Sequence, residues 1–262
     1  MDVKDLLAAD RWFGPILRVT GLNDFTRKFE DSMFSIFPIS LFIIYAPLYI
    51  QQHLGDGPCV EFGFLMPLKL TASGILFCAD FAILVLWTQF PQLRLETTLA
   101  SSILDCFGAL FLGAVLYVEH RYSPQPSLLI GIYLSITMLL DVAKARSYFL
   151  REELESIGAL ATVAASLKFF IILLEEVPKS RWIDRRRFPF LSSETVSGFW
   201  NRSLFLWLNS TLVVGFKRVL TVSDLPDMSP KFNSEVLHAA FDDHWQKGAT
   251  LLLRIETRQK TY

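Results

Sequence analysis

Five apolar runs, each near the length of a bilayer crossing, constrain this chain more than any other feature of its sequence. A hydrocarbon core ~30 Å thick takes about 20 residues at a helical rise of ~1.5 Å each. Residues 32–52, 66–87, 97–118, 126–149 and 157–176 meet that length with few charges. The connections are short and hold the breakers: GDGP from Gly55, FPQ from Phe90, YSPQP from Tyr122. Short connections between long helices put neighbours antiparallel. Pro38 and Pro47, inside the first run, are expected to kink it. The fold class that follows is an all-α membrane protein, a five-span up-down helical bundle.

Composition agrees. Hydrophobic residues make up 52% of the chain and charged residues 19%, below the ~25% charge of soluble domains. A formal net charge of −1 removes nucleic acid as a partner class. Cys59, Cys78 and Cys106 are too few and too scattered for a disulfide framework or a zinc site. The first thirty residues are mixed in charge and hold no apolar run, so no cleavable signal is expected and the first span serves as the insertion signal. Lys and Arg near the span ends divide evenly between the two sides, with Lys69 and Lys179 counted on the C-terminal side, so charge bias alone gives no orientation. The densest cluster, Arg185 to Arg187, favours a cytoplasmic C-terminal side through attraction to anionic headgroups.

Asp80, Asp105, Asp141 and Lys168 fall inside the spans. An isolated charge near the bilayer centre costs ~2.5–3.5 kcal/mol or more, so each should face the bundle interior and find a partner. Lys168 is expected to pair with Asp105 or Asp80, and Asp141 with Lys144 across an i,i+3 spacing. With no His nearby, structural ion pairs that fix helix register are favoured over a proton or ion relay. Ala109 and Gly113, and likewise Ala161 and Ala165, sit four apart and should let helix backbones approach.

After Glu176 the chain turns basic and Pro-punctuated, which places a domain boundary near Val177. Residues 195–214 then carry Val196, Phe199, Trp200, Leu204, Trp207, Leu208 and Leu212 at spacings that draw one apolar face along a helix. Gly215 follows as a candidate left-handed stop, with Lys217 and Arg218 beside it. Arg202 would be costly in a bilayer core, so the expected placement is along the headgroup region, on the membrane rather than through it. TVSDLPDM, from Thr221, then turns the chain, and residues 235–245 suggest a short soluble helix.

The segment SSETVSGFWNRSLFLWLNSTLVVGFKRVLTVSDLPDM resembles the lasso linker of the C-subfamily (multidrug-resistance-associated) ABC exporters. The matching positions are Ser197, Gly198, Phe199, Arg202, Phe205, Trp207, Gly215, Phe216, Lys217, Asp224, Leu225 and Pro226, with Trp245 closing the next helix. Upstream, the five spans, VEHRYS at Val118 and ARSYFLREE at Ala145 are similar to that family's extra N-terminal membrane domain, most of all in fungal members. The resemblance implies residues 1–31 as an extracytoplasmic segment, 32–176 as the membrane domain, 177–245 as a cytoplasmic linker and 246–262 as the truncated start of a transporter core. It implies a regulatory or trafficking region of an ATP-driven exporter of organic anions, conjugates or drugs, in the plasma or vacuolar membrane. Its partners would be the bilayer and the core transmembrane domain of the exporter, in cis or in trans. Phe199, Trp200, Arg202, Phe205, Trp207, Phe216, Lys217, Asp224, Leu225 and Pro226 would dock the linker.

The chain contains no G-x-x-x-x-G-K-[ST], so no nucleotide cradle is expected in it, and ATP and Mg would belong to the resembled full-length transporter. His238 and His244 flank Asp242 and Asp243, but a spacing of six divides the imidazoles between helix faces and argues for a solvated helix over a metal site. No catalytic, cofactor-binding or metal residues are expected. The alternative is an independent receptor or scaffold of five to seven spans, in which Phe199 to Phe216 would cross the bilayer. A lipid-active enzyme would need paired acids or His at one leaflet surface, and no convincing set is present.

Overall fold

The computed structural model describes residues 10–14, 25–55, 57–60, 63–123, 125–179, 182–183, 193–221, 234–239, 241–242 and 245. Five of its helices are long and apolar enough to cross a membrane: α1 Arg27–Leu54, α2 Leu65–Gln89, α3 Glu96–Tyr122, α4 Leu128–Phe149 and α5 Glu155–Glu176. The protein is an α-helical membrane bundle. In lipid a spanning segment must satisfy its own backbone, and helices of this length do so. The C-terminal ends of α1, α3 and α5 and the start of α2 share one end of the bundle, here the linker end; the opposite end is the far end.

The neighbours are not simply consecutive. Around the bundle the packing order is α4, α5, α2, α3, α1, with α5 inserted between α4 and α2. Helices α2 and α3 meet closely where Ser73 Oγ donates to the Ala109 carbonyl at 3.3 Å. A Cβ on Gly113 would lie 3.1 Å from the same hydroxyl. The small-residue spacing thus marks a contact, and Ala161 and Ala165 are buried as well. Leu76, Leu112, Val115, Ile130, Leu134 and Ile171 fill the centre. Phe42 stacks on Tyr133 with ring centroids 3.9 Å apart. Where α1 and α4 stand apart, an apolar groove of about 900 Å³ opens, walled by Phe37, Leu41 and Ile136, with His53 and Arg202 also on its lining.

The first helix begins five residues before the expected run and opens unusually. Residues Glu30–Ile36 form a π-helix, in which Phe37 N–H donates to the Ser32 carbonyl, five residues back. Pro38 follows directly; its ring would crowd the carbonyl four residues earlier, and a wider turn relieves that clash. The same turn swings Glu30, Asp31 and Ser35 inward, where all three are buried. Residues 27–31 therefore belong to the bundle rather than to a preceding segment, because their charges find partners on α3 and α4.

Beyond α5, residues 177–179 and 182–183 lie against the linker end. Ile183 forms an isolated antiparallel bridge with Val60, and Cys59, Val60, Ile183 and Val196 make a small apolar cluster. The stretch expected as one helix over 195–214 is instead broken into α6 Ser193–Val196, α7 Phe199–Ser203, a 3-10 turn Leu206–Leu208 and α8 Asn209–Lys217. Phe205 holds a left-handed φ of 55°, a conformation costly for a bulky side chain. Gly215 lies inside α8, which runs to Lys217 and ends at an extended Arg218; the expected glycine stop is not the stop. With 9 residues, α8 is about 14 Å long, too short to cross a bilayer.

Candidate functional site

The residues that join the linker to the bundle start with Glu176, the last residue of α5. Its Oε1 accepts the Trp200 backbone N–H at 2.7 Å and its Oε2 accepts the Asn201 N–H at 2.9 Å. These are the second and third helical positions of α7, whose N-cap is Gly198. A helix start leaves such donors unsatisfied, and the cap residue's own side chain usually meets them. Gly198 has none, so a carboxylate from another helix does the capping. A Cβ on Gly198 would lie 2.6 Å from the Glu176 Cα; the close approach requires glycine.

Two aromatic residues complete the dock. Phe199 rests on Gly131 of α4, where an added Cβ would come within 2.6–2.9 Å of the Phe199 side chain. Trp200 Nε1–H donates to Ser135 Oγ at 3.1 Å, one turn along α4. Arg202 reaches Glu194 at 3.4 Å, an exposed pair worth little by itself. Gly131→Leu is expected to expel the Phe199 ring and expose residues 199–217 to protease while α1–α5 stay resistant, as limited proteolysis would report.

The remaining linker residues do not share this dock. Phe205 and Phe216 are exposed, Phe216 at 94%, and Lys217 closes α8. Trp207 is half-buried on the 3-10 turn. Trp245 stacks on Phe241 at 5.7 Å. Asp224, Leu225 and Pro226 lie outside the described residues, as do 246–262. His238 meets Asp242 at 3.3 Å on an exposed helical face. Among the described residues no cluster suited to a metal ion occurs.

The intramembrane charges pair differently from expectation. Lys168 donates to Asp141 at 2.5 Å, not to Asp105 or Asp80, because α4 and α5 are the most intimate neighbours. Lys144 turns away from Asp141 toward α1, donating to Ser35 Oγ at 2.6 Å with Asp31 at 3.7 Å. Among the described residues neither Asp80 nor Asp105 closes an ion pair; both face a small cavity with Asp141, Lys144 and Lys168.

Two further charge layers lie at the ends of the bundle, where hydropathy alone does not reveal them. At the linker end Lys69 pairs with Glu175 at 2.6 Å and Lys179 with Glu119 at 2.5 Å, all four buried. Lys69 and Lys179 are thus interior residues rather than headgroup-facing ones. At the far end Arg27 donates to the Leu93 carbonyl at 2.8 Å and Thr98 Oγ1 at 3.1 Å. Its guanidinium lies 4.6 Å from the centre of the Trp87 ring. Arg151 meets Asp10 at 3.0 Å, Thr98 donates to Asp31 at 2.6 Å, and Ser147 donates to Glu30. Lys69→Met is expected to strand Glu175 in the interior and cost about 3–5 kcal/mol, read as a fall in thermal midpoint in detergent.

No protein-family model matches the chain. Over most of its length it is similar to curated fungal ABC transporters. It is 32% identical over 236 residues to ABC multidrug transporter B of Aspergillus fumigatus, a match covering 89% of this chain and 16% of that protein. It is 31% identical over 245 residues to the ABC-type transporter braE of Annulohypoxylon truncatum, covering 90% and 16%. ABC transporter atnG of Emericella nidulans is 30% identical over 215 residues, covering 81% and 14%. The chain spans about one sixth of the length of the first two relatives.

Proposed function

We propose that this chain is the N-terminal membrane domain and lasso linker of a C-subfamily ABC exporter, with a regulatory or trafficking role and no transport activity of its own. The observation that carries the reading is the Glu176 cap, which fastens the segment after the fifth span to the end of the bundle. Similarity to fungal ABC transporters over most of the chain supports it. From that anchor α8 presents Leu212, Val213 and Phe216, all exposed, as an apolar surface for the inner leaflet and for a core transmembrane domain. The bundle and the linker would move as one piece, so a partner bound to the spans could bias the position of a linker touching the core. The cargo class would be organic anions, conjugates or drugs, in a plasma or vacuolar membrane. ATP and Mg would act in the nucleotide-binding domains of the exporter.

This reading places the N-terminus outside and the linker in the cytoplasm. Asn201-Arg-Ser and Asn209-Ser-Thr are glycosylation acceptor sequons. Expressed in a eukaryotic cell, both should stay unmodified, while a sequon introduced within the first ten residues should be glycosylated. A glycan on Asn201 or Asn209 would place the linker in the lumen and end the proposal. Co-expression with an exporter core lacking its own N-terminal region should give co-purification that Phe216→Asp weakens.

A further inference from the structure

The buried charges at the middle of the bundle do not balance within their pairs. Three aspartates meet here, Asp80 on α2, Asp105 on α3 and Asp141 on α4, against Lys144 on α4 and Lys168 on α5. Lys168 is engaged by Asp141 at 2.5 Å. Lys144 is drawn to α1 by Ser35 at 2.6 Å and Asp31 at 3.7 Å. Asp80 and Asp105 are left over, and Asp80 is only 8% exposed.

Both carboxyls line one cavity of about 30 Å³, together with Asp141, Lys144, Lys168, Ser102 and Tyr148. Ser73 against Ala109 and Gly113 sets the antiparallel register of α2 on α3. Asp80 stands about two helical turns further along α2, and the antiparallel run of α3 carries Asp105 to the same cavity. A polar space of this size holds one water.

We propose that this cavity is a proton-binding site, in which Asp80 and Asp105 together carry one proton. Two carboxylates that line one cavity in a low-dielectric interior do not both stay ionised. A metal cation would face the Lys144 and Lys168 ammonium groups on the same wall, and an anion would face three carboxyls. A proton needs no further ligands. The groups facing the pair are Ser102 on α3, Asp141, Lys144 and Tyr148 on α4, and Lys168 on α5, with Asp31 on α1 beyond Lys144. The inference rests on the bundle alone and stands whether or not the exporter reading does.

The test is infrared spectroscopy of the full chain in phosphatidylcholine nanodiscs at neutral pH, with isotopically labelled aspartate carboxyls. The expected result is a protonated-carboxyl carbonyl band that moves with the isotope and shifts in deuterium oxide. Asp80→Asn and Asp105→Asn should each reduce it about tenfold, since the survivor ionises once its like-charged neighbour is gone. A membrane-permeant carbodiimide should add once to the wild-type chain, at Asp80 or Asp105. A wild-type chain with no labelled band would overturn the proposal without reference to any variant. A band that sodium chloride removes and choline chloride leaves would assign the cavity to a metal cation and overturn it equally.

Discussion

Replacing Gly198 by alanine is expected to release the linker from the bundle while leaving the five spans folded. The added methyl would sit 2.5–2.6 Å from the Glu176 carboxyl carbon and Cα, and the backbone of α5 cannot yield as a side-chain tip would. Forcing a methyl into such a contact costs about 1–3 kcal/mol, or roughly five- to more than one-hundredfold in the docking equilibrium. Hydrogen exchange should show residues 199–203 losing protection, with α4 and α5 unchanged. Glu176→Ala removes the cap from the other side, at about 1–2 kcal/mol for two orphaned donors. Because both changes break one contact, the double variant should cost much less than their sum. Additive effects would mean that Gly198 and Glu176 act separately and that the cap is misassigned.

The second large effect is expected inside the membrane. Lys168→Met leaves Asp141 without its partner in a bilayer interior, a loss of about 3–5 kcal/mol, comparable with much of a domain's stability. The variant should be recovered in low yield and elute as aggregate in size-exclusion chromatography. Exchanging the two charges, Lys168→Asp with Asp141→Lys, should restore a monodisperse peak. Restoration by Lys168→Asp with Asp105→Lys instead would show the sequence-based pairing to be the true one.

The spans were legible because burial in lipid demands a run of apolar residues whose length is set by the bilayer, and length survives any choice of packing. The charge pairs were not. Lys168 meets Asp141 because α5 packs beside α4, and Lys144 leaves Asp141 because a π-turn before Pro38 brings Asp31 and Ser35 to it; neither neighbour order nor turn width shows in hydropathy. Lys69, Glu119, Glu175 and Lys179 sit at run ends, where a charge normally means contact with headgroups, and only the structure shows them turned inward. In the linker, periodicity found the apolar residues but joined them into one rod. Gly198 in the Ser-Gly-Phe lead-in was visible as part of a motif. Its reason, the approach of Glu176 from more than twenty residues upstream, is a tertiary contact.

One measurement reaches the central claim, that the linker is fastened to the end of the span bundle. In a background with Cys59, Cys78 and Cys106 replaced, Gly131→Cys and Phe199→Cys would put two thiols where a Cβ at 131 lies 2.7 Å from the Phe199 Cβ; with the Phe199 ring gone, α7 need part from α4 by only about 1 Å to reach the ~3.5–4.5 Å of a disulfide. Mild oxidation in native membranes should cross-link the pair nearly completely, and Glu176→Ala should slow it. If the pair stays reduced while each single cysteine still reacts with a maleimide, α7 does not sit on α4 and the docked linker is contradicted.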